Sequence, residues 1–193
     1  MPRQKTLSDH DVLATALRLM HERGPEALTF AALAEASGLS GATLVQRFGT
    51  KAALRQAALL HAWDRLDGKT ATLAAKAPRT PAGAVRLLVG LSQDYGGIEA
   101  YAEGLLVLRE DLRDPALRAR GAAWRDVLST ALDRCFAAVP HAPKGIGLML
   151  AAQWQGSLLW WGFEPREPVG RYVEKSLKRF VAAIVAAGKP PSS

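Results

Sequence analysis

The sequence predicts an all-helical fold, and three observations lead to that prediction. Helix caps and helix-compatible prolines recur along the 193 residues, apolar residues repeat at helical spacing, and alternating strand-like runs with hairpin turns are absent from the sequence. The composition, 49% hydrophobic and 22% charged, is typical of a globular protein. We therefore expect a compact all-α protein and exclude disordered and collagen-like classes.

Charge and cysteine usage restrict the partners and the compartment. The formal charge of +7 is compatible with nucleic acid or an acidic membrane, but the basic excess is spread along the chain and identifies neither. The single cysteine, Cys135, can form no internal disulfide and by itself no thiolate metal site. Because residues 1–21 contain no continuous apolar segment typical of a secretory signal, we expect a cytoplasmic protein.

The segment Gly145–Phe163 carries no charged residue and is long enough to suggest a membrane span. Gln153, Gln155 and Ser157 interrupt it, and several glycines dilute it. A helix that is buried on most sides within a soluble protein is the preferred interpretation, and no membrane partner is expected.

Capping side chains and glycine stops predict four helices in the amino-terminal region. These helices cover residues 8–23, 29–37, 40–48 and about 51–75, with Ser8, Thr29, Ser40 and Thr50 as caps. Further helices are predicted to begin near residues 81, 115 and 168, where a proline lies at the first helical position. The last helix is predicted to end at Gly188.

The second and third helices are joined by Gly38-Leu39-Ser40, which is the spacing of a helix-turn-helix motif. Leu44 is expected to face inward, whereas Thr43, Gln46 and Arg47 are expected to face away. Such a short helix can enter the DNA major groove, which is about 12 Å wide. The same geometry also occurs as plain helix packing, so the motif alone leaves both interpretations open.

Several side chains could contact DNA in different ways. Lys51 and Thr29 lie at helix starts, where unpaired amides attract a phosphate. A small residue such as Ala42 at the start of the third helix permits close approach of the backbone. Arg47 could bind a phosphate or reach a guanine edge, and the sequence does not decide between them.

Residues 8–60 resemble the amino-terminal DNA-binding domain of TetR-type transcriptional repressors, whose usual run is Gly-Val-Ser-x-Gly-Thr-Leu-Tyr-x-Tyr-Phe-x-Ser-Lys. The run from Gly38 to Lys51 reads Gly-Leu-Ser-Gly-Ala-Thr-Leu-Val-Gln-Arg-Phe-Gly-Thr-Lys. Val45 and Arg47 replace the family's aromatic residues and Ala42 replaces a glycine, so the tyrosine contacts to DNA do not carry over. The predicted DNA-contacting residues are Thr29, Ser40, Ala42, Thr43, Gln46, Arg47 and Lys51, with Thr43 and Lys51 at phosphates and Gln46 at a base.

The resemblance implies a three-helix helix-turn-helix DNA-binding domain, residues 1–50, followed by a larger helical ligand-binding and dimerisation domain, residues 51–193. It also implies a homodimeric, ligand-responsive regulator, most simply a repressor of a palindromic operator that is released by a small, largely apolar inducer. No enzymatic motif, cofactor or metal site is predicted. The alternative is a helical small-molecule-binding protein or enzyme whose amino-terminal bundle is only structural.

Two further sets of residues are predicted in the carboxy-terminal region. Aromatic and amide side chains could line a small-molecule cavity or form solid core; they are Trp63, Tyr95, Tyr101, Trp124, Gln153, Trp154 and Trp160. Apolar residues of the last two helices could form a dimer interface of the kind implied by the resemblance, or an ordinary core; they are Leu158, Trp161, Val173, Leu177, Phe180 and Ile184.

Overall fold

A computed structural model describes residues 7–187, and this part of the chain contains nine α-helices and no β-strand. The all-helical prediction is confirmed. The helices are α1 (Asp9–Arg23), α2 (Phe30–Ser37), α3 (Gly41–Phe48), α4 (Lys51–Lys76), α5 (Pro81–Ser92), α6 (Ile98–Arg113), α7 (Pro115–Arg134), α8 (Ile146–Phe163) and α9 (Val169–Ala187).

Helix starts follow the caps that the sequence indicates. Ser8 and Asp11 form a complete capping box, in which the Ser8 hydroxyl accepts a hydrogen bond from the Asp11 amide at 3.2 Å. Helices α5 and α7 begin at the predicted prolines. The sequence analysis missed α6, and the predicted end of the last helix at Gly188 lies outside the described residues.

The chain divides into two compact units. The first contains the residues up to Leu66 together with Ala102–Gly121, and the second contains Asp67–Tyr101 and the residues from Ala122 onward. Helices α4, α6 and α7 each contribute to both units. The boundary predicted after residue 50 divides a DNA-binding domain from a ligand-binding domain. The two units are defined by packing and not by function, so this boundary stays a prediction.

The core of the first unit is built from the inward faces of α1 to α4. Val12, Leu33, Leu44 and Leu54, one from each helix, are completely buried in a single apolar cluster. Burying a leucine side chain contributes about 1.5–3 kcal/mol. These contacts fix α2 and α3 against α1 and α4, because helices of eight residues are not stable alone.

The core of the second unit combines α5, α8 and α9. Trp154 of α8 is buried and donates a hydrogen bond from Nε1 to the Ser92 hydroxyl at 2.8 Å. Cys135 is also buried, and burial raises the pKa of its thiol.

Within residues 7–187, no helix combines the length and the apolar character that crossing a membrane requires.

Gly147 lies where α7 and α8 approach most closely. Its amide donates to the Asp133 carboxylate at 2.7 Å. A Cβ atom at position 147 would lie 2.1 Å from the Ser129 carbonyl oxygen and 2.9 Å from the Asp133 backbone nitrogen. Both atoms belong to the backbone, so they cannot move aside as a flexible side chain could.

Gly147→Ala is expected to lower the free energy of unfolding by about 1–3 kcal/mol, because the added methyl group overpacks the helix crossing. Gly68→Ala is the matched control: position 68 also lies within a helix of the second unit, but a Cβ there meets no atom within 4 Å. The control is expected to gain about 0.5–1 kcal/mol. Urea unfolding measures both, and equal effects would contradict the close crossing.

Candidate nucleic-acid interface

The orientation of α3 follows from one inward residue. Leu44 is completely buried, and Phe48, one turn later, is half-buried against the same cluster. Residues on the opposite side of an eight-residue helix must then face solvent. Ala42, Val45 and Gln46 are the exposed residues of that side.

The turn between α2 and α3 has the backbone geometry of a helix-turn-helix motif. Gly38 ends α2 in the left-handed region, with φ 74°, and its amide donates to the Ala34 carbonyl at 2.9 Å. Ser40 then caps α3, because its hydroxyl accepts from the Thr43 amide at 3.1 Å. The Ser40 and Thr43 hydroxyls also lie 2.8 Å apart. The predicted residues Ser40 and Thr43 are therefore brought together at the start of α3.

Val45 is a surface residue that the sequence analysis missed. Its side chain is 46% exposed, whereas Leu44 beside it in the sequence is completely buried. Its three-residue spacing from Ala42 and its position directly before Gln46 could have revealed it. Ala42, Val45 and Gln46 together form the outward face of α3.

Arg47 differs from its predicted outward orientation. Its guanidinium donates to the Leu7 carbonyl at 2.8 Å and to the Asp9 carboxylate at 3.3 Å, and its side chain is only 24% exposed. Position 47 lies at the border between the inward and outward sides of α3, so a long side chain can turn either way. Here it turns towards α1 and joins the two helices.

Two helix starts supply groups that attract anions. The Thr29 hydroxyl caps α2 by accepting from the Ala32 amide at 3.0 Å, and the Thr50 hydroxyl caps α4 by accepting from the Ala53 amide at 3.1 Å. The first turn of each helix has amides without an intrahelical acceptor and carries the positive end of the helix dipole. Both Thr29 and Thr50 are exposed.

Lys51 is held by an acidic neighbour at the start of α4. Its ammonium donates to the Glu26 carbonyl and carboxylate, each at 3.3 Å, and Arg55 donates to the same carboxylate at 3.3 Å. The hydrogen bond from Lys51 and the charge of Arg55 lower the pKa of Glu26. Exposed ion pairs are weak, so Lys51 can exchange Glu26 for another anion at little cost.

The amino-terminal part of the chain, residues 12–58, matches the family model of bacterial regulatory proteins, tetR family. The match contains α2, the turn and α3, together with the first residues of α4. Residues 12–58 are therefore similar to the DNA-binding region of this family. This match agrees with the resemblance found in the sequence.

Solved structures extend the likeness to the fold of most of the chain. A transcriptional regulator from Rhodococcus sp. Rha1 is 18% identical with TM-score 0.75, and the match covers 95% of this chain and 100% of that one. The TetR-family regulator PfmR from Thermus thermophilus is 21% identical with TM-score 0.62, over 97% and 100% of the two chains. A regulator from Saccharomonospora viridis in complex with choline is 22% identical with TM-score 0.70, over 89% and 93%. A comparison with curated protein sequences found no match.

Most of the aromatic residues predicted to line a cavity contact other residues of the same chain. Trp124 donates to the Thr70 hydroxyl at 2.9 Å and its ring centroid lies 6.3 Å from that of Trp154, whose indole is bonded to Ser92. Tyr101 is buried and contacts Tyr95 edge to face at 5.6 Å. Tyr101, Trp124 and Trp154 are buried in the core of the second unit, and Tyr95 is half-buried beside Tyr101.

Trp63, Trp160 and Gln153 do not join that aromatic core. Trp63 belongs to the first unit and donates from Nε1 to Asp111 at 3.2 Å, and burial raises the pKa of that carboxyl to about 6. Trp160 is 66% exposed. Gln153 donates to the Ser176 hydroxyl at 3.1 Å beside a separate groove of about 510 Å³.

The predicted dimer residues divide into two groups. Phe180 and Ile184 are half-buried, whereas the other four are covered by their own chain: Leu158, Trp161, Val173 and Leu177 are at most 3% exposed. Because these four side chains are covered by their own chain, they offer no area to a partner. The prediction that they form a dimer interface is therefore corrected. They form the contact between α8, α9 and the rest of the second unit.

Arg47→Ala is expected to accelerate hydrogen exchange of the α3 amides about 5- to 30-fold, because a charge-assisted bond between α3 and α1 is worth about 1–2 kcal/mol at a partly exposed site. Gln46→Ala is the control on the same helix, since no bond from its side chain is found among the described residues, and it is expected to change exchange less than about two-fold. Equal rates in both variants would show that Arg47 does not hold α3.

Proposed function

We propose that the chain is a transcriptional repressor that binds a palindromic DNA operator as a homodimer and releases it on binding a small, largely apolar effector. The observation that carries the DNA-binding part is the outward face of α3, which is exposed and lies in a helix-turn-helix of a tetR-family domain. The starts of α2 and α4 belong to the same domain and add two anion-attracting helix ends.

The recognition step follows from these positions. Helix α3 enters the major groove, where the outward face meets base edges. The starts of α2 and α4 bind phosphates through Thr29 and Lys51, and the hydroxyls of Ser40 and Thr43 bind a phosphate beside the groove. Lys51 exchanges Glu26 for a phosphate, because the many phosphates of the DNA backbone attract a cation more strongly than a single exposed carboxylate does.

An exposed apolar stripe on α8 supports the dimer. Its members lie on the exposed side of α8 in two groups that the exposed Gln155 separates: Leu148, Met149 and Ala152, and then Leu159, Trp160 and Phe163. Phe163 is 74% exposed and Trp160 is 66% exposed, and their rings contact each other at 5.7 Å. The stripe is about 22 Å long, and a stripe of this size is typical of a protein–protein contact.

A two-fold symmetric dimer presents two copies of α3. Each copy would read one half-site, with the half-site centres about 34 Å apart along the duplex. A palindromic operator has the same two-fold symmetry as the protein, which is the reason for proposing it. Binding to genomic DNA would place the protein in the cytoplasm.

A groove in the second unit offers a place for the effector. It has a volume of about 700 Å³, within the range of about 300–1,000 Å³ for small-molecule sites. Most of its wall consists of small apolar residues of α4 and α7, among them Ala71, Ala74 and Ala131, with Arg79 and Arg134 beside them. The Saccharomonospora viridis neighbour was solved with choline, which supports a small-molecule effector in this fold.

The full chain is expected to bind duplex DNA with an affinity that falls steeply as salt rises, because phosphate contacts release counterions. Lys51→Ala should weaken binding to all duplexes alike and reduce the salt slope by about two, one for each subunit of the dimer. Gln46→Ala should weaken only a duplex selected from a random pool, by about 5- to 100-fold. Fluorescence anisotropy across a salt series measures both variants.

The two variants serve as controls for each other, since both replace a polar side chain of one small domain by alanine. Loss of affinity that is uniform for Lys51→Ala and sequence-dependent for Gln46→Ala supports the assigned roles. Absence of duplex binding at low salt would contradict the proposed function.

Phe163→Glu is expected to shift the chain from dimer to monomer, because it places a charge within the proposed apolar contact, beside the ring of Trp160. The residue is exposed in the single chain, so the substitution leaves the fold of the protomer intact. Leu112→Glu is the matched control, since Leu112 is 61% exposed but lies on α6, outside the stripe. Sedimentation velocity of both variants decides, and a dimer that persists in Phe163→Glu would contradict the interface.

A further inference from the structure

The outward face of α3 has an unusual chemistry for a surface that meets DNA. It consists of a methyl group, an isopropyl group and one carboxamide, from Ala42, Val45 and Gln46. Helix α3 contains one cationic side chain, Arg47, and that guanidinium is bonded to the Leu7 carbonyl and to Asp9 on the side of α1. The base-reading face is therefore neutral.

Each base pair presents a different set of groups in the major groove. Guanine offers two acceptors, O6 and N7, which arginine and lysine bind best. An A·T pair offers the thymine 5-methyl group together with the adenine N7 acceptor and N6 donor. An apolar side chain packs against the methyl group, and a carboxamide makes two hydrogen bonds with adenine.

Val45 and Gln46 are neighbours on α3 and supply these two groups side by side. Val45 is 46% exposed although it is apolar, which is unfavourable in water but favourable against a methyl group. The Gln46 amide makes no hydrogen bond within residues 7–187, so its donor and acceptor are available to a base. Ala42, one turn earlier, is short enough to let the helix approach the groove floor.

We propose that α3 reads A·T base pairs, with Val45 packed against a thymine methyl group and Gln46 bonded to an adenine edge. Arg47 orients the helix from behind and reads no base. This inference rests on the proposed function and adds to it the base composition at the centre of each operator half-site.

The test uses the full chain and a duplex selected from a random pool, in which each thymine is then replaced by deoxyuridine. This replacement removes only the 5-methyl group and leaves all hydrogen-bonding groups in place. Replacement of one thymine in each of the two half-sites is expected to weaken binding by about 10- to 25-fold, because each withdrawn methyl group costs about three- to five-fold. The remaining thymines should show changes below about two-fold.

The binding of the Val45→Ala variant to the same duplexes tests whether Val45 is the residue that contacts the methyl group. The variant should bind the thymine duplex about as weakly as the unmodified chain binds the uracil duplex, and it should no longer distinguish the two. The variant keeps the helix, because alanine has a higher helix propensity than valine and position 45 is exposed. Ala36→Ser, at an exposed position in the last turn of α2, serves as a control that should keep the full methyl effect.

A second base analogue tests the partner of Gln46. Replacing the proposed adenine by 7-deazaadenine removes the N7 acceptor, which should weaken binding by the unmodified chain but not by Gln46→Ala. The inference is overturned if the selected half-sites contain only G·C pairs in their centre, if deoxyuridine has no effect at any position, or if Val45→Ala retains the methyl effect. A chain that selects no duplex would instead overturn the proposed function itself.

Discussion

The burial of Leu44 is the constraint on which the remaining interpretation depends. Helix α3 has only eight residues, so its own hydrogen bonds do not keep it folded or oriented. Complete burial of Leu44 among the side chains of α1, α2 and α4 fixes the rotation of α3 about its axis. The same rotation exposes Ala42, Val45 and Gln46. The packing of the core therefore determines which side chains of α3 can contact DNA.

The polar contacts around α3 adjust this arrangement and do not create it. Arg47 joins α3 to α1, whereas Lys51 and Arg55 share Glu26 at the protein surface. Since exposed pairs contribute little to stability, their exchange for DNA phosphates costs the fold little. The domain can therefore meet a polyanion without repacking its core.

Much of the fold could be predicted from the sequence because helix ends carry local signals. Ser8, Thr29 and Ser40 cap the helices expected of them, and Gly38 adopts the left-handed conformation that the turn needs. These are interactions over three or four residues, and sequence spacing is sufficient to identify them. Helix α6 was missed because glycines precede it and no capping side chain marks its start.

The direction of individual side chains was harder to predict, for two physical reasons. Arg47 lies at the edge of the α3 surface, and a long flexible side chain at such a position can follow either neighbour. Helix α8 is apolar on almost all sides, so hydrophobic periodicity does not distinguish its core face from its outer face. The sequence analysis accordingly selected Leu158 and Trp161, which are buried, whereas Phe163 is exposed.

Hydrogen–deuterium exchange of the full chain, with and without a bound duplex, tests the central claim most directly. If the outward face of α3 is the reading surface, protection on DNA binding should concentrate at the starts of α2 and α4 and along α3. Protection that leaves residues 41–48 unchanged while appearing on α8 or α9 would contradict this account.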